Sequence, residues 1–184
     1  MTAFSLCRTG LIGLTLAALA LGSAPGLAAP VATPAAPATL RSVPAMISAK
    51  DPKSIMAALR AKGWNPELSE TDDGVPSIEF TVDKIITTIR FYNCDEDGKN
   101  CSTLNFYVGF SGTKYSSMEG INTYNAKKRF GRAYLDDVGD PCLEMDIDLD
   151  FAGLPRENFL EYLGTWNLLT HDFRDYINEK DDDS

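Results

Sequence analysis

Four acids on alternate residues are the most conspicuous arrangement of reactive groups in the chain. In Cys142-Leu143-Glu144-Met145-Asp146-Ile147-Asp148-Leu149-Asp150-Phe151, a strand turns Glu144, Asp146, Asp148 and Asp150 to one face. It turns Leu143, Met145, Ile147, Leu149 and Phe151 to the other. Carboxylates in one row repel, so something must offset them. Water and salt suffice at a solvated surface; a divalent cation or the basic surface of a partner is the functional alternative. Acid–base catalysis by paired carboxylates requires a pocket that drives their pKa values apart, which an open strand face does not supply. Within the chain, Lys127, Lys128 and Arg129 are the basic cluster expected to answer the row. They end a helical pattern in which Asn122 and Asn125 lie three apart. With Arg129, these amides are read as structural, tying the helix to neighbouring strands by side chain–backbone bonds.

Cys94 and Cys101 flank Asp95-Glu96-Asp97-Gly98-Lys99-Asn100, the tip of a hairpin. A disulfide is the expectation, with two reduced thiols as the alternative. Closing so short a loop contributes about 2–3 kcal/mol on the chain-entropy model. The spacing is not Cys-x-x-Cys, which argues against a redox pair. Cys142 is left over and reads as a buried small hydrophobe, with a thiol pairing between chains as the other reading. At the hairpin tip Asp95 and Asp97 fit the first two ligands of an EF-hand loop, but Gly98 falls at position 4 instead of 6, and the motif fails. His171, the single histidine, is expected to be exposed beside Asn167 and Asp175. No G-x-S-x-G, P-loop or dinucleotide fingerprint occurs. The expectation is therefore no catalytic residue, no metal site and no cofactor.

The elements that position these groups begin after a leader. Arg8 precedes the apolar run Leu11–Leu21, which is short for a bilayer span, and Gly26-Leu27-Ala28 offers small residues for cleavage after Ala28. Residues 1–28 read as a signal peptide, which takes Cys7 with it. Removing it takes one of 17 cations and none of 26 acids, leaving a net charge near −10. Such acidity disfavours nucleic acid and anionic membrane surfaces; after cleavage the chain is not expected to span a membrane. Residues 29–49, rich in Ala and Pro, read as a tether. Residues 50–178 form the domain and 179–184 an acidic tail.

Asp51, Pro52 and Gly63 bracket a first helix, with Trp64 as an anchor after it. Period-two alternation marks strands over 77–82, 84–92 and 102–110. Ser116 and Glu119 have capping-box spacing for a second helix that ends at Gly131. Strands over 132–138 and 142–151 follow, with a turn over 137–141. A long helix from near Pro155 carries Phe159, Leu163, Trp166, Leu169, Thr170, Phe173 and Ile177 on one face. The order α-β-β-β-α-β-β-α indicates an α+β fold, helices packed on an antiparallel sheet.

These residues, in this order, resemble the YbjN family of bacterial proteins. The run comprises Asp73-Gly74-x-Pro76, Phe91-Tyr92-Asn93-Cys94, Cys101-Ser102-Thr103-Leu104-Asn105-Phe106, Ile121-Asn122-Thr123-Tyr124-Asn125, Arg129-Phe130 and Arg132-Ala133-Tyr134-Leu135-Asp136. Leu143-Glu144-Met145-Asp146 and the Trp166 helix complete it, over about 50–177. The resemblance implies a sensory transduction regulator whose fold is similar to type III secretion chaperones, which bind extended segments of partner proteins and often dimerise. It brings no catalytic residues. The signal peptide departs from those chaperones, which work in the cytoplasm. The expectation is a periplasmic or secreted, non-enzymatic, adaptor- or chaperone-like domain that binds protein and forms homodimers. A small-ligand or cation sensor, or an enzyme of unrecognised type, is the alternative.

Overall fold

The computed structural model describes residues 45–111 and 117–179. The leader, nearly all of the tether, Ser116 and most of the acidic tail lie outside the described residues. The element order is β1 (Met46–Ile47), α1 (Pro52–Ala61), β2 (Glu67–Glu70), β3 (Pro76–Val82), β4 (Ile85–Tyr92), β5 (Thr103–Gly109), α2 (Met118–Lys127), β6 (Arg132–Leu135), β7 (Pro141–Asp148), β8 (Leu154–Pro155) and α3 (Arg156–Glu179). Six strands form one antiparallel sheet in the order β2-β3-β4-β5-β7-β6, while β1 and β8 pair separately. The fold is α+β as expected, with three short strands added.

Period two divides the sheet into two unlike faces. Ile78, Phe80, Ile89, Leu104, Phe106, Leu143 and Met145 point inward and are buried. All seven residues expected on the apolar face of α3 are also buried, and all but Thr170 join the same core. Phe106 lies 5.5 Å from the Trp166 ring and 6.4 Å from Phe159, so the middle of β5 is gripped by the first half of α3. Thr170 tolerates burial because its hydroxyl donates to the Trp166 carbonyl at 2.9 Å. From α1, Ile55 and Leu59 close the core; from α2, Ile121 and Tyr124 do so. The three helices thus cover one face. The other carries Arg90, Tyr92, Thr103, Asn105, Tyr107, Glu144 and Asp146, together with Arg132 and Tyr134 from β6.

The ends of elements differ from the sequence expectation for local reasons. Asp51 caps α1 by accepting from Lys53 N, as expected. The α2 cap is Ser117, accepting from Gly120 N at 3.0 Å, one residue beyond the expected Ser116. Strand β6 stops at Leu135 because the Asp136 carboxylate accepts from Val138 N and Asp140 N and folds the turn. At the end of β7, Asp148 accepts from Asp150 N. Phe151, expected in the core, instead has positive φ and is 98% exposed. Strand β2 was not expected: all four of its residues are exposed, so no alternation marks it.

The folded unit also starts before residue 50, inside the expected tether. Ile47 and Ala49 are buried, and Arg156 N donates to the Ala45 carbonyl at 2.8 Å. Pairing of β1 with β8 depends on Gly153, whose φ is +81° and whose missing Cβ would collide with the Ile47 carbonyl. Gly63 also has positive φ, +87°, but open space around it. Gly153→Ala is expected to destabilise by about 2 kcal/mol or more, strain plus displaced β1. Gly63→Ala should cost only the strain, about 1 kcal/mol. Urea unfolding of the two variants measures the difference.

Candidate functional site

On the helix-free face, cross-strand register assembles one polar row. Tyr107 on β5 faces Glu144 on β7, which faces Arg132 on β6, while Arg90 faces Asn105 and Asn105 faces Asp146. Glu144 is only 7% exposed although no helix covers it. Its neighbours bury it. Arg132 bonds one oxygen, the Tyr134 hydroxyl donates to the other at 2.8 Å, and Arg90 lies 3.5 Å away. The Arg90 guanidinium lies over the Tyr107 ring, 3.6 Å from its centre. Two hydrogen bonds and a second guanidinium beside it hold this carboxylate in place and cover it. Hydrogen bonding to Glu144 raises the pKa of Arg132, and burial followed by the same carboxylate raises that of Tyr134.

The cations that answer Glu144 are therefore Arg132 from the adjacent β6 and Arg90 from β4, on the far side of β5. The expected cluster does not do so. Lys128 pairs with Asp172 at 2.7 Å, and Arg129 lies over the Phe130 ring. The acidic row is also not uniform. Glu144 is buried, Asp146 accepts from Asn105 Nδ2 at 2.8 Å, Asp148 is exposed, and Asp150 lies beyond the end of β7. Among the described residues, no three His, Cys, Asp or Glu side chains are placed to hold a metal ion.

Cys142 is a buried free thiol, 3.3 Å from the Tyr107 hydroxyl. Gly109 directly opposite makes the contact possible: a Cβ there would lie 2.7 Å from that hydroxyl. Burial raises the thiol's pKa, and the thiol raises that of Tyr107. At neutral pH Cys142 is protonated and a poor nucleophile.

Cys94 and Cys101 form the expected disulfide at the base of the β4–β5 loop. Inside it, Asp95 accepts from Asn100 Nδ2 and Lys99 N, each at 2.7 Å, and these bonds lower its pKa. Gly98 lets the loop rest on the Gly74 turn, since a Cβ would come 2.9 Å from Gly74 C and O. The braced loop carries Asn93, which donates to Thr103 Oγ1 at 3.0 Å. A shallow groove beside it is lined by Tyr92, Asn93, Thr103, Asn105, Arg132, Glu144 and Asp146. A second, beyond Tyr107, is lined in part by Ile86, Thr88, Asp136 and Cys142.

Of the two helix amides, Asn125 does what the sequence suggested. It accepts from Ala133 N at 2.8 Å and donates to Ala133 O at 2.9 Å, occupying the outer edge of β6 as a strand would. Asn122 is exposed and makes no comparable tie among the described residues. His171 is half-buried, not exposed, with Nε2 3.0 Å from Asp83 in the β3–β4 turn.

The family model described as "Putative bacterial sensory transduction regulator" (YbjN) matches residues 51–179. The chain belongs to the YbjN family. The polar row, the braced loop and the Asn125 clamp all lie within the YbjN match. No curated protein sequence matches the chain. Among solved structures it is similar to the Yersinia pestis type III secretion chaperone SycH, in complex with a stable fragment of YscM2. Identity is 17% over 64% of this chain and 96% of that one, with a TM-score of 0.39.

Two variants probe this YbjN site. Glu144→Gln leaves two guanidiniums facing one another; because both are partly exposed, the expected cost is about 1–2 kcal/mol. Adding Arg132→Gln should recover part of it, a coupling readable in a double-mutant cycle by urea unfolding. Asn125→Ala strands the Ala133 N–H and C=O, at an expected cost of about 1–3 kcal/mol. Opening that edge should also make the variant self-associate in size-exclusion chromatography.

Proposed function

We propose that the domain is a non-enzymatic regulatory adaptor that binds protein through the helix-free face of its sheet, in the periplasm or outside the cell. The observation that carries this reading is the construction of that face. Its central carboxylate is enclosed by Arg90, Arg132 and Tyr134, and burial keeps its thiol protonated, so the groups suited to acid–base or nucleophilic chemistry are engaged in holding the surface still. Ile86 at 61% and Tyr92 at 47% exposure stand beside that fixed polar centre. A pre-ordered surface of aromatic, arginine and apolar side chains binds with little entropy lost on ordering. Membership of a family described as regulatory supports the same reading. The Cys94–Cys101 disulfide supports an oxidising compartment, as do the leader-like residues 1–28.

A photo-crosslinking residue in place of Ile86, expressed in cells, tests it. The expected result is one dominant crosslinked protein, absent when the probe replaces Glu161 on the exposed side of α3. A crosslink to a second copy of the chain would make the face a homodimer interface. No crosslink from this face would overturn the reading. N-terminal sequencing of the recovered chain should begin at Ala29 if residues 1–28 are removed; an intact Met1 would overturn export.

A further inference from the structure

Within the groove beside the disulfide loop, Asn105 holds an unspent acceptor. The residue is 3% exposed, between Arg90 and Asp146 in the register. Its Nδ2 donates to Asp146 Oδ1. The opposite amide orientation would set an oxygen against that carboxylate, so the orientation is determined. Asn105 Oδ1 is left buried with no hydrogen-bond partner among the described residues, a state folded proteins seldom leave unanswered. Arg90, the cross-strand neighbour, is drawn away to the Tyr107 ring and Glu144. Arg132 also feels Asp146 but is committed to Glu144. Asp146 and Asp148 are exposed, and neither belongs to an ion pair of the described residues. The half-exposed ring of Tyr92 also lines the groove.

We propose that this groove accepts a lysine or arginine side chain from a protein partner, a specificity that rests on the protein-binding reading above. The incoming group supplies what the groove lacks: N–H donors for Asn105 Oδ1 and positive charge for Asp146 and Asp148, with its aliphatic stem along Tyr92. An anion could reach Arg132, already bonded to Glu144, but would also meet the Glu144 and Asp146 carboxylates and the Asn105 oxygen. A metal ion would find no converging set of three ligands among the described residues.

The test uses the full chain, disulfide intact, with p-benzoylphenylalanine replacing Tyr92 and crosslinking in cells. The expected crosslinked partner segment contains Lys or Arg. Asp146→Asn with Asp148→Asn should lower the yield about tenfold, whereas Glu161→Gln on the exposed side of α3 should not change it. Asp148→Lys, at an exposed position, is a second variant expected to lower the yield should the double variant fold poorly. Either a segment without a basic residue, or full yield from both acidic-row variants, overturns the basic-side-chain specificity and leaves protein binding standing. Failure to crosslink from both Tyr92 and Ile86 overturns the two together.

Discussion

Everything in this fold follows from a sheet that is covered on one side only. Phe106 on β5 and Trp166 on α3 are the centre of that cover, each without solvent exposure. Burying two such side chains removes several hundred square ångströms of apolar surface from water, and this drives the helix onto the sheet. The consequence falls on the alternate residues. A strand that sends Leu143, Met145 and Ile147 into the core must send Glu144, Asp146 and Asp148 outward, with no helix to partner them. Register across the sheet then decides which charges meet. Glu144 becomes buried because Arg90 on β4, Tyr107 on β5, and Arg132 and Tyr134 on β6 enclose it.

This is why the sequence disclosed one half of the site and hid the other. Period two is a property of a single strand, so the acid row of β7 was visible without a structure. The apolar stripe of α3 and the cap of α1 are local in the same sense. The role of Asn125 was legible in kind, as an amide at the end of a helix, while Asn122 three residues away could not be distinguished from it. Which cations answer Glu144 is a question of strand pairing at long separation. Lys127, Lys128 and Arg129 were nearer in sequence and more clustered, yet α2 ends at the edge of the sheet and turns Lys128 to Asp172 on α3. Arg90 and Arg132 stood alone in their strands and carried no signal until β4, β5, β7 and β6 were set side by side. Strands β1, β2 and β8 lack both length and alternation, and β1 is held by a backbone contact that only Gly153 permits.

The two edges of the sheet are protected by different means. At β6 the side chain of Asn125 reproduces a peptide group and satisfies Ala133 on its outer side. At β2 the strand is four residues long and bears Glu67 and Glu70, a short charged edge of the sort that discourages pairing with another chain. Edge-to-edge association is thus opposed at both ends, and the helix-free face is the broad surface the sheet presents.

That face is also stiffer than its exposure suggests. A side chain such as Arg132, 69% exposed, would ordinarily sample many rotamers and lose entropy on binding. Its bond to Glu144 has already restricted it. Arg90 is restricted by Tyr107, and Asn93 by Thr103 within a loop braced by the disulfide and by the Gly98–Gly74 contact. The ordering cost is met during folding, by the same packing that buries Phe106 against Trp166. Stability and the order of this face are therefore coupled through Glu144: the carboxylate that holds the arginines still is the one that determines where their remaining N–H groups point.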